Sequence, residues 1–480
     1  MALSEILSLD AAPQQRQPSQ QWMVRRWMWL AISARQEGLD LAAGLIQGEV
    51  ARAFNGSSTG GFLRVSNRVR APVKENSNFV LALSALEQEA RGAGDPLLQA
   101  LFAERARELL LLGAQVQLMR ESPLAALCLS ERARRVPGRV FAAERIDDGS
   151  MNAERCGEVL LRSVPRGITV IHQDLEGDRL LTWVVRDGAM HFVATPAVAA
   201  DLEADIDQFR EDLKSSRPAK SIVEDGKRLY AILIKPARAW IAGEGLLVYS
   251  PPPALRGIPV AALHDGRQFL FQSRPMAVTR AMSSLGHFSG ASMDRGTVFV
   301  VLPPTANGSS PLGSAAGEVS FVARLYADAT ALSGESATLG AFAASAPGFD
   351  VIHLAGHGSS DGRPLQNAME FGRLHLCAKD VLHWRLTRSP LVILAGCRTD
   401  DETEGRSTLS LASAFVVAGA SGVVGSLFDV EDESTKNLMV DFHRQLVRGV
   451  PPAEALRRAQ RAAIARTGEP ATWAAFQLQM

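Results

Sequence analysis

The sequence predicts an α/β protein, with a helical N-terminal region followed by a mostly parallel sheet. Three observations predict it. In the first third, apolar residues recur at three- and four-residue steps, the spacing of a helix face. Near residue 165 the pattern changes to short strand-like runs, two of them joined by Asp187-Gly188, a pair suited to a tight hairpin. From residue 298 onward, uninterrupted apolar strands alternate with helices, as in a parallel sheet covered on both faces.

The elements follow in order. Asp95-Pro96 reads as a helix start, a capping side chain followed by proline in the first turn. Leu98, Leu101, Phe102, Leu109, Leu112, Val116 and Met119 then make one apolar stripe. Ser122-Pro123 repeats the start signal, Leu124, Leu127 and Cys128 face one side, and Pro137-Gly138 ends the run. Two helices joined by a tight break are similar to one unit of a helical repeat array. Residues 56–61 (GSSTGG) form a loop, and the arginine-rich stretch 132–135 is expected to face solvent.

Strands are expected at 168–173, 179–186 and 189–194, and helices at 198–214 and 221–241. An apolar run at 246–249 is closed by Ser250 and three prolines, and 250–295 is rich in turns. The last third predicts strands at 298–302, 349–355, 391–395, 422–428 and 473–478. Between them lie a helix carrying Val319, Val322, Leu325 and Tyr326, and helices at 409–418, 434–447 and 452–466.

Composition excludes several classes. A chain of 480 residues suggests several domains with ample core, at roughly 100–200 residues per domain. Lys plus Arg and Asp plus Glu are equal at 51 each, which argues against a phosphate backbone or an anionic membrane as the main partner. Residues 1–21 lack a basic lead into a long apolar core, so no secretory signal is expected there. The run 22–32 carries Arg25 and Arg26 and is too short to span a bilayer. Cys128, Cys156, Cys377 and Cys397 lie far apart, in neither a disulfide framework nor a zinc pattern. The expectation is a reduced, cytoplasmic protein in which the sequons at Asn55 and Asn307 carry no meaning, with no metal and no cofactor.

Two strand ends can carry chemistry. One runs through His353 into Gly356-His357-Gly358, the other into Gly396-Cys397-Arg398-Thr399. In parallel sheets the working residues sit at the carboxyl ends of strands. If the two strands are neighbours, His357 and Cys397 meet at one edge. A thiolate is the nucleophile of thiol catalysis, and an adjacent imidazole takes or returns its proton. The backbone N–H groups of Gly358 and Cys397 can then hold a developing oxyanion. Arg398 sets a cation beside the thiol, which either favours the thiolate or repels a basic substrate residue. His353 and His357 share a spacing of four, but no third metal ligand is evident, and His353 reads as a core residue. Gly419, Gly422 and Gly425 sit between helix and strand, the wrong order for a phosphate loop.

From about residue 160 to the end, the chain resembles the CHAT family, caspase-like proteins associated with TPR repeats. The resemblance rests on 255–263 (LRGIPVAAL), 334–338 (GESAT), 353–358 (HLAGHG), 395–399 (AGCRT), 415–420 (FVVAGA), 424–432 (VGSLFDVED) and 473–476 (WAAF), all in the family's order. The stretch 129–134 is similar to the helix that joins the repeats to this domain. The resemblance implies three parts: a TPR-like sensor or docking region at 1–155, a pseudo-caspase subdomain at 160–290 and a catalytic caspase-like subdomain at 291–480. It makes His357 and Cys397 a dyad, with Gly358 an oxyanion donor. Through separase-like relatives that cut after a basic residue, it makes Asp429 and Asp432 acids of the S1 pocket. Asp429, Glu431 and Asp432 can equally be the N-cap of the helix at 434–447, with acids complementing its dipole, and both roles can hold together. The chain departs from the family pattern at Gly396 and Arg398, where many members carry alanine and glutamate, and at Phe428, where many carry tryptophan.

The implied function is a cysteine endopeptidase making limited cuts in a partner protein, activated through its N-terminal helices. Family members accompany bacterial defence, including gasdermin-type activation and CRISPR-linked responses. The alternative is a catalytically silent caspase-like scaffold acting through protein contacts. Neither reading expects direct nucleic-acid binding or a membrane span.

Overall fold

The computed structural model describes residues 121–134 and 153–480, apart from breaks at 216–218, 242, 288–295, 306–311, 360–365 and 403–408, together with scattered residues between 107 and 118. The run 22–32, the loop 56–61, the start at Asp95-Pro96, the end at Pro137-Gly138 and both sequons lie outside the described residues. The chain divides into two compact units, Met1–Leu160 and Leu161–Met480.

In the first unit, helix α1 (Pro123–Arg132) starts as its sequence predicts. The Ser122 hydroxyl accepts the Ala125 N–H at 3.3 Å, and Pro123 stands in the first turn. Helix α2 (Ala153–Ser163) begins in the same unit. Gly157 lies so close to α1 that a β-carbon there would be 2.6 Å from Leu124 Cγ. This approach brings Cys128 and Cys156 into a disulfide with their Cα atoms 5.8 Å apart. The expectation of four unpaired cysteines is thus corrected. The two lie 28 residues apart, and only the packing of the helices makes them neighbours. Arg134 is buried, so the stretch at 132–135 is not simply a solvated face.

The second unit opens with a meander of β1 (Thr169–Glu176), β2 (Arg179–Arg186) and β3 (Ala189–Pro196). The β2–β3 turn is made by Asp187 and Gly188 at φ 50° and 80°, the left-handed pair that a two-residue hairpin needs. Helices α3 (Ala199–Lys214) and α4 (Ala219–Leu233) follow, then β4 (Leu247–Ser250) and β5 (Met276–Val278). Next come β6 (Val298–Leu302), α5 (Ala315–Leu325), β7 (Ala329–Ser333), α6 (Leu339–Ser345) and β8 (Val351–Ala355). After a small antiparallel sheet of β9 (Gly358–Ser359), β10 (Ala368–Phe371) and β11 (Leu374–Cys377), the chain returns through β12 (Leu391–Ala395), α7 (Leu411–Val417) and β13 (Gly422–Ser426). Helices α8 (Asp432–Leu446) and α9 (Pro452–Thr467) lead to β14 (Phe476–Gln479).

The eleven strands outside that small sheet form one sheet in the order β3-β2-β1-β4-β5-β14-β13-β12-β8-β6-β7. Its centre is parallel and buried: every residue of β8, β12 and β13 is buried. Alternation along these strands sends Phe299, Ile352, Leu354, Val392 and Leu394 to one face, where they join Phe342, Phe371 and Phe415 in a single core cluster. The final strand differs from the expected parallel pattern. β14 runs antiparallel to β13 and parallel to β5, and so joins the strands of 169–278 to those of 298–426. β5, β7, β9, β10 and β11 are not among the predicted strands. β5 has three residues inside a turn-rich stretch, and β7 is a largely exposed edge strand without an apolar run. Among the described residues, no helix is long and apolar enough to cross a membrane.

Candidate active site

β8 and β12 are adjacent and parallel, paired from Val351↔Leu391 to Ala355↔Ala395. Both end in glycine turns at the same level, so His357 and Cys397 each stand two residues beyond a register pair. The turns interlock. The Gly356 N–H donates to the Ala395 carbonyl at 3.2 Å. A β-carbon on Gly396 would lie 2.5 Å from the Gly356 carbonyl oxygen, and one on Gly358 would overlap the Cys397 carbonyl. Glycine is therefore required at both positions by the closeness of the two backbones. Beyond His357 the chain enters β9, and the His357 carbonyl accepts the Glu370 N–H of β10 at 2.9 Å. His357, Gly358 and Cys397 are all partly exposed.

The cysteine turn is fixed by residues that sequence reading missed. The Ser426 hydroxyl donates to the Gly396 carbonyl, and the Ser426 N–H donates to Thr399 Oγ1 at 2.9 Å. The buried Asn367 side chain donates to the Arg398 carbonyl at 2.5 Å and accepts the Leu411 N–H, at the start of α7, at 2.8 Å. Asn367 comes from the hairpin attached to His357, so it ties the two turns together. The only sequence signal for it is a polar residue before an apolar strand. Arg398 sits at φ 54°, a left-handed conformation that costs a non-glycine residue roughly 1–2 kcal/mol.

The Cys397 thiol faces the Val430 carbonyl at 3.8 Å. Burial pushes the thiol up, and Asp429 adds to this; Arg398 acts in the opposite direction but does not outweigh it. Arg398 thus fails to make the thiol acidic because its guanidinium is already used: Nε lies 3.0 Å from Asp429 Oδ1. Lys214 Nζ approaches the same carboxylate at 3.7 Å. The structure brings Asp429 beside the cysteine turn, but as a paired group. Asp432 is placed in the first turn of α8, where its carboxylate accepts the Ser314 N–H at 2.7 Å. Glu431 caps α8 by accepting the Ser434 N–H at 2.8 Å, so the helix-starting role of this acidic stretch is real.

Two buried polar groups support the site. Asp401 and Glu402, just after the cysteine turn, meet arginines from the 160–290 part of the chain. Arg210 lies 3.0 Å from Asp401, Arg280 2.6 Å and Arg256 3.6 Å from Glu402. Burial pushes Glu402 up, but Arg280 and Arg256 outweigh it and hold the carboxyl below its usual range. Asp400 lacks such a partner, and burial with Glu402 beside it pushes it up to about 7. On the opposite face of β8, His353 Nε2 lies 2.9 Å from Glu318 and its Nδ1 3.0 Å from His443, which meets the Tyr326 hydroxyl at 2.8 Å. Burial lowers His443 well below its usual value. His353 is thus a core residue bound to α5 and α8.

A mostly parallel sheet with helices on its faces, and with His357 and Cys397 just beyond adjacent strand ends, defines an α/β protein. The chain belongs to the CHAT domain family, whose profile matches residues 223–480. No curated protein matches it by sequence. Among solved structures, a chain of the Saccharomyces cerevisiae separase–securin complex is similar in fold, with TM-score 0.51 and 10% identity over 95% of this chain and 46% of that one. A second structure of that complex gives TM-score 0.50 at 10% identity, over 94% and 44%. The chain therefore spans under half the length of these neighbours. The Arg-specific cysteine proteinase gingipain R aligns at TM-score 0.35 and 13% identity, over 58% of this chain and 74% of that one.

Proposed function

We propose that the protein is a cysteine endopeptidase with a His357/Cys397 dyad that makes limited cuts in a partner protein. The observation that carries this reading is the register of β8 and β12, which end in His357 and Cys397 with Gly358 seated on the Cys397 backbone. Cys397 Sγ attacks the peptide carbonyl carbon while His357 takes the thiol proton. The carbonyl oxygen gathers negative charge near the N–H groups of Gly358 and Cys397. The C–N bond then breaks, His357 gives the proton to the leaving amine, and water hydrolyses the thioester to free Cys397. Asp429 and Asp432 form the acidic side of an S1 pocket. The strands of 160–290 act as a pseudo-protease half supporting the catalytic half at 291–480, and the region 1–155, TPR-like in its sequence pattern, docks an activating partner.

One observation favours a second reading, a silent caspase-like scaffold: the Cys397 thiol is turned to the Val430 carbonyl, and burial raises its pKa instead of lowering it toward the thiolate. The test is cleavage of a peptide library and of co-expressed candidate partners by the full chain. The dyad predicts cutting by wild type and losses of at least about a hundredfold in both Cys397→Ala and His357→Ala. Cutting that survives in Cys397→Ala would reject it.

A further inference from the structure

Arg398 takes a backbone conformation that long side chains seldom adopt, at φ 54°. The Asn367 side chain grips its carbonyl at 2.5 Å and is itself anchored on the Leu411 N–H. This fixed turn sets the guanidinium on Asp429, Nε to Oδ1 at 3.0 Å. Lys214 stands 3.7 Å from the other carboxylate oxygen. Asp429 is the residue before Val430, whose carbonyl meets Cys397 Sγ. Asp429, the acid next to the residue that meets the proposed nucleophile, is therefore bracketed by two cations of the chain itself.

We propose that Arg398 is a specificity-determining residue: it holds Asp429 as the P1 cation of a substrate would, so a basic P1 side chain enters only by displacing it. The proposal rests on the peptidase reading above. The Arg398 and Asp429 side chains are 30% and 47% exposed, so the pair is solvated and weak enough to exchange. Because Arg398 is attached to the turn, its local concentration at Asp429 is high without any binding cost, and a P1 arginine competes against that. A neutral P1 residue has no such competitor. Discrimination among P1 residues is then set by a difference between two cations for one carboxylate, and not by the presence of the acid alone.

The test uses the full chain and two peptidyl acyloxymethyl ketones, identical except for arginine or leucine at P1, with the rate of Cys397 adduct formation read by mass spectrometry. Arg398→Ala is expected to raise the arginine-to-leucine rate ratio by roughly 5-fold, the span of an exposed ion pair. Arg398→Lys should return it toward wild type. Asp429→Asn should lower the ratio and remove the effect of a second change at 398. Arg398→Gly, which fits the left-handed turn without strain, gives the same reading if the alanine variant is unstable. A ratio unchanged or lowered in both Arg398→Ala and Arg398→Gly overturns the proposal and leaves the peptidase reading intact. Absence of any Cys397 adduct, with either probe in every variant, overturns the peptidase reading and this proposal with it.

Discussion

Burial holds the Cys397 thiol above its ordinary range, and Arg398 does not reverse this. Arg398 is spent on Asp429, and burial decides the balance. Sequence alone places a cation next to the thiol but cannot show that the cation points elsewhere, since the direction depends on the left-handed turn held by Asn367. Three residues further on, Asp400 shows the same physics without a compensating charge. Its pKa in the folded chain, about 7, lies above the value of 3.8 for a free carboxyl. The folded state then holds a proton that the unfolded chain has released. The contribution of Asp400 is full below about pH 4 and falls as pH rises toward 7, by up to a few kcal/mol in total. Denaturant midpoints at pH 5 and pH 8 check this. Asp400→Asn is expected to shrink the difference between them, and an unchanged difference would show that Asp400 is already ionised in the fold.

The element scale is where sequence reading was most informative and where its failures have clear causes. β8 and β12 were legible because buried central strands are continuous apolar runs ending at glycine turns. That they are neighbours follows from topology and not from either run. β5 and the β9–β11 hairpin were not legible, because strands of two to four residues carry too little periodicity. The helix at 432–446 starts two residues before the expected 434, directly after Glu431, one of the acids expected to cap it. The interlocked turns give a sharp prediction. A methyl group on Gly358 must push against the Cys397 backbone, which cannot yield without opening the β8–β12 pair. Gly358→Ala should therefore cost about 1–3 kcal/mol in chemical denaturation and more than tenfold in any Cys397-dependent activity. Gly348→Ala, where a β-carbon meets nothing within 4 Å, serves as the control and should leave both nearly unchanged. Equal effects of the two substitutions would contradict the close approach.

At the scale of the whole second unit, β14 and a buried ionic network join the two parts of the sheet. Gln479 pairs with Val278, the Met480 N–H donates to the Val278 carbonyl at 2.9 Å, and Trp473 packs on Phe269 and Phe271. Arg210, Arg256 and Arg280 reach from one part to Asp401 and Glu402 in the other. Buried pairs of this kind contribute little net stability when intact, yet losing one partner leaves a charge stranded, so they fix the relative placement of the parts. The zero net charge of the chain conceals this arrangement. The acids and bases that balance in the composition meet in the interior, across more than a hundred residues of sequence, beside the cysteine turn.

In the proposed function His357 and Cys397 act together on a peptide carbonyl. The most direct measurement is acid-quenched mass spectrometry of the full chain after brief exposure to a set of activated peptide esters, which reports an acyl group held as a thioester. An acyl adduct mapped to Cys397 is expected in the wild type, with its loss, or a slowing of at least about a hundredfold, in His357→Ala. An adduct that forms equally fast without the imidazole, or that maps to a residue other than Cys397, would contradict the proposed function.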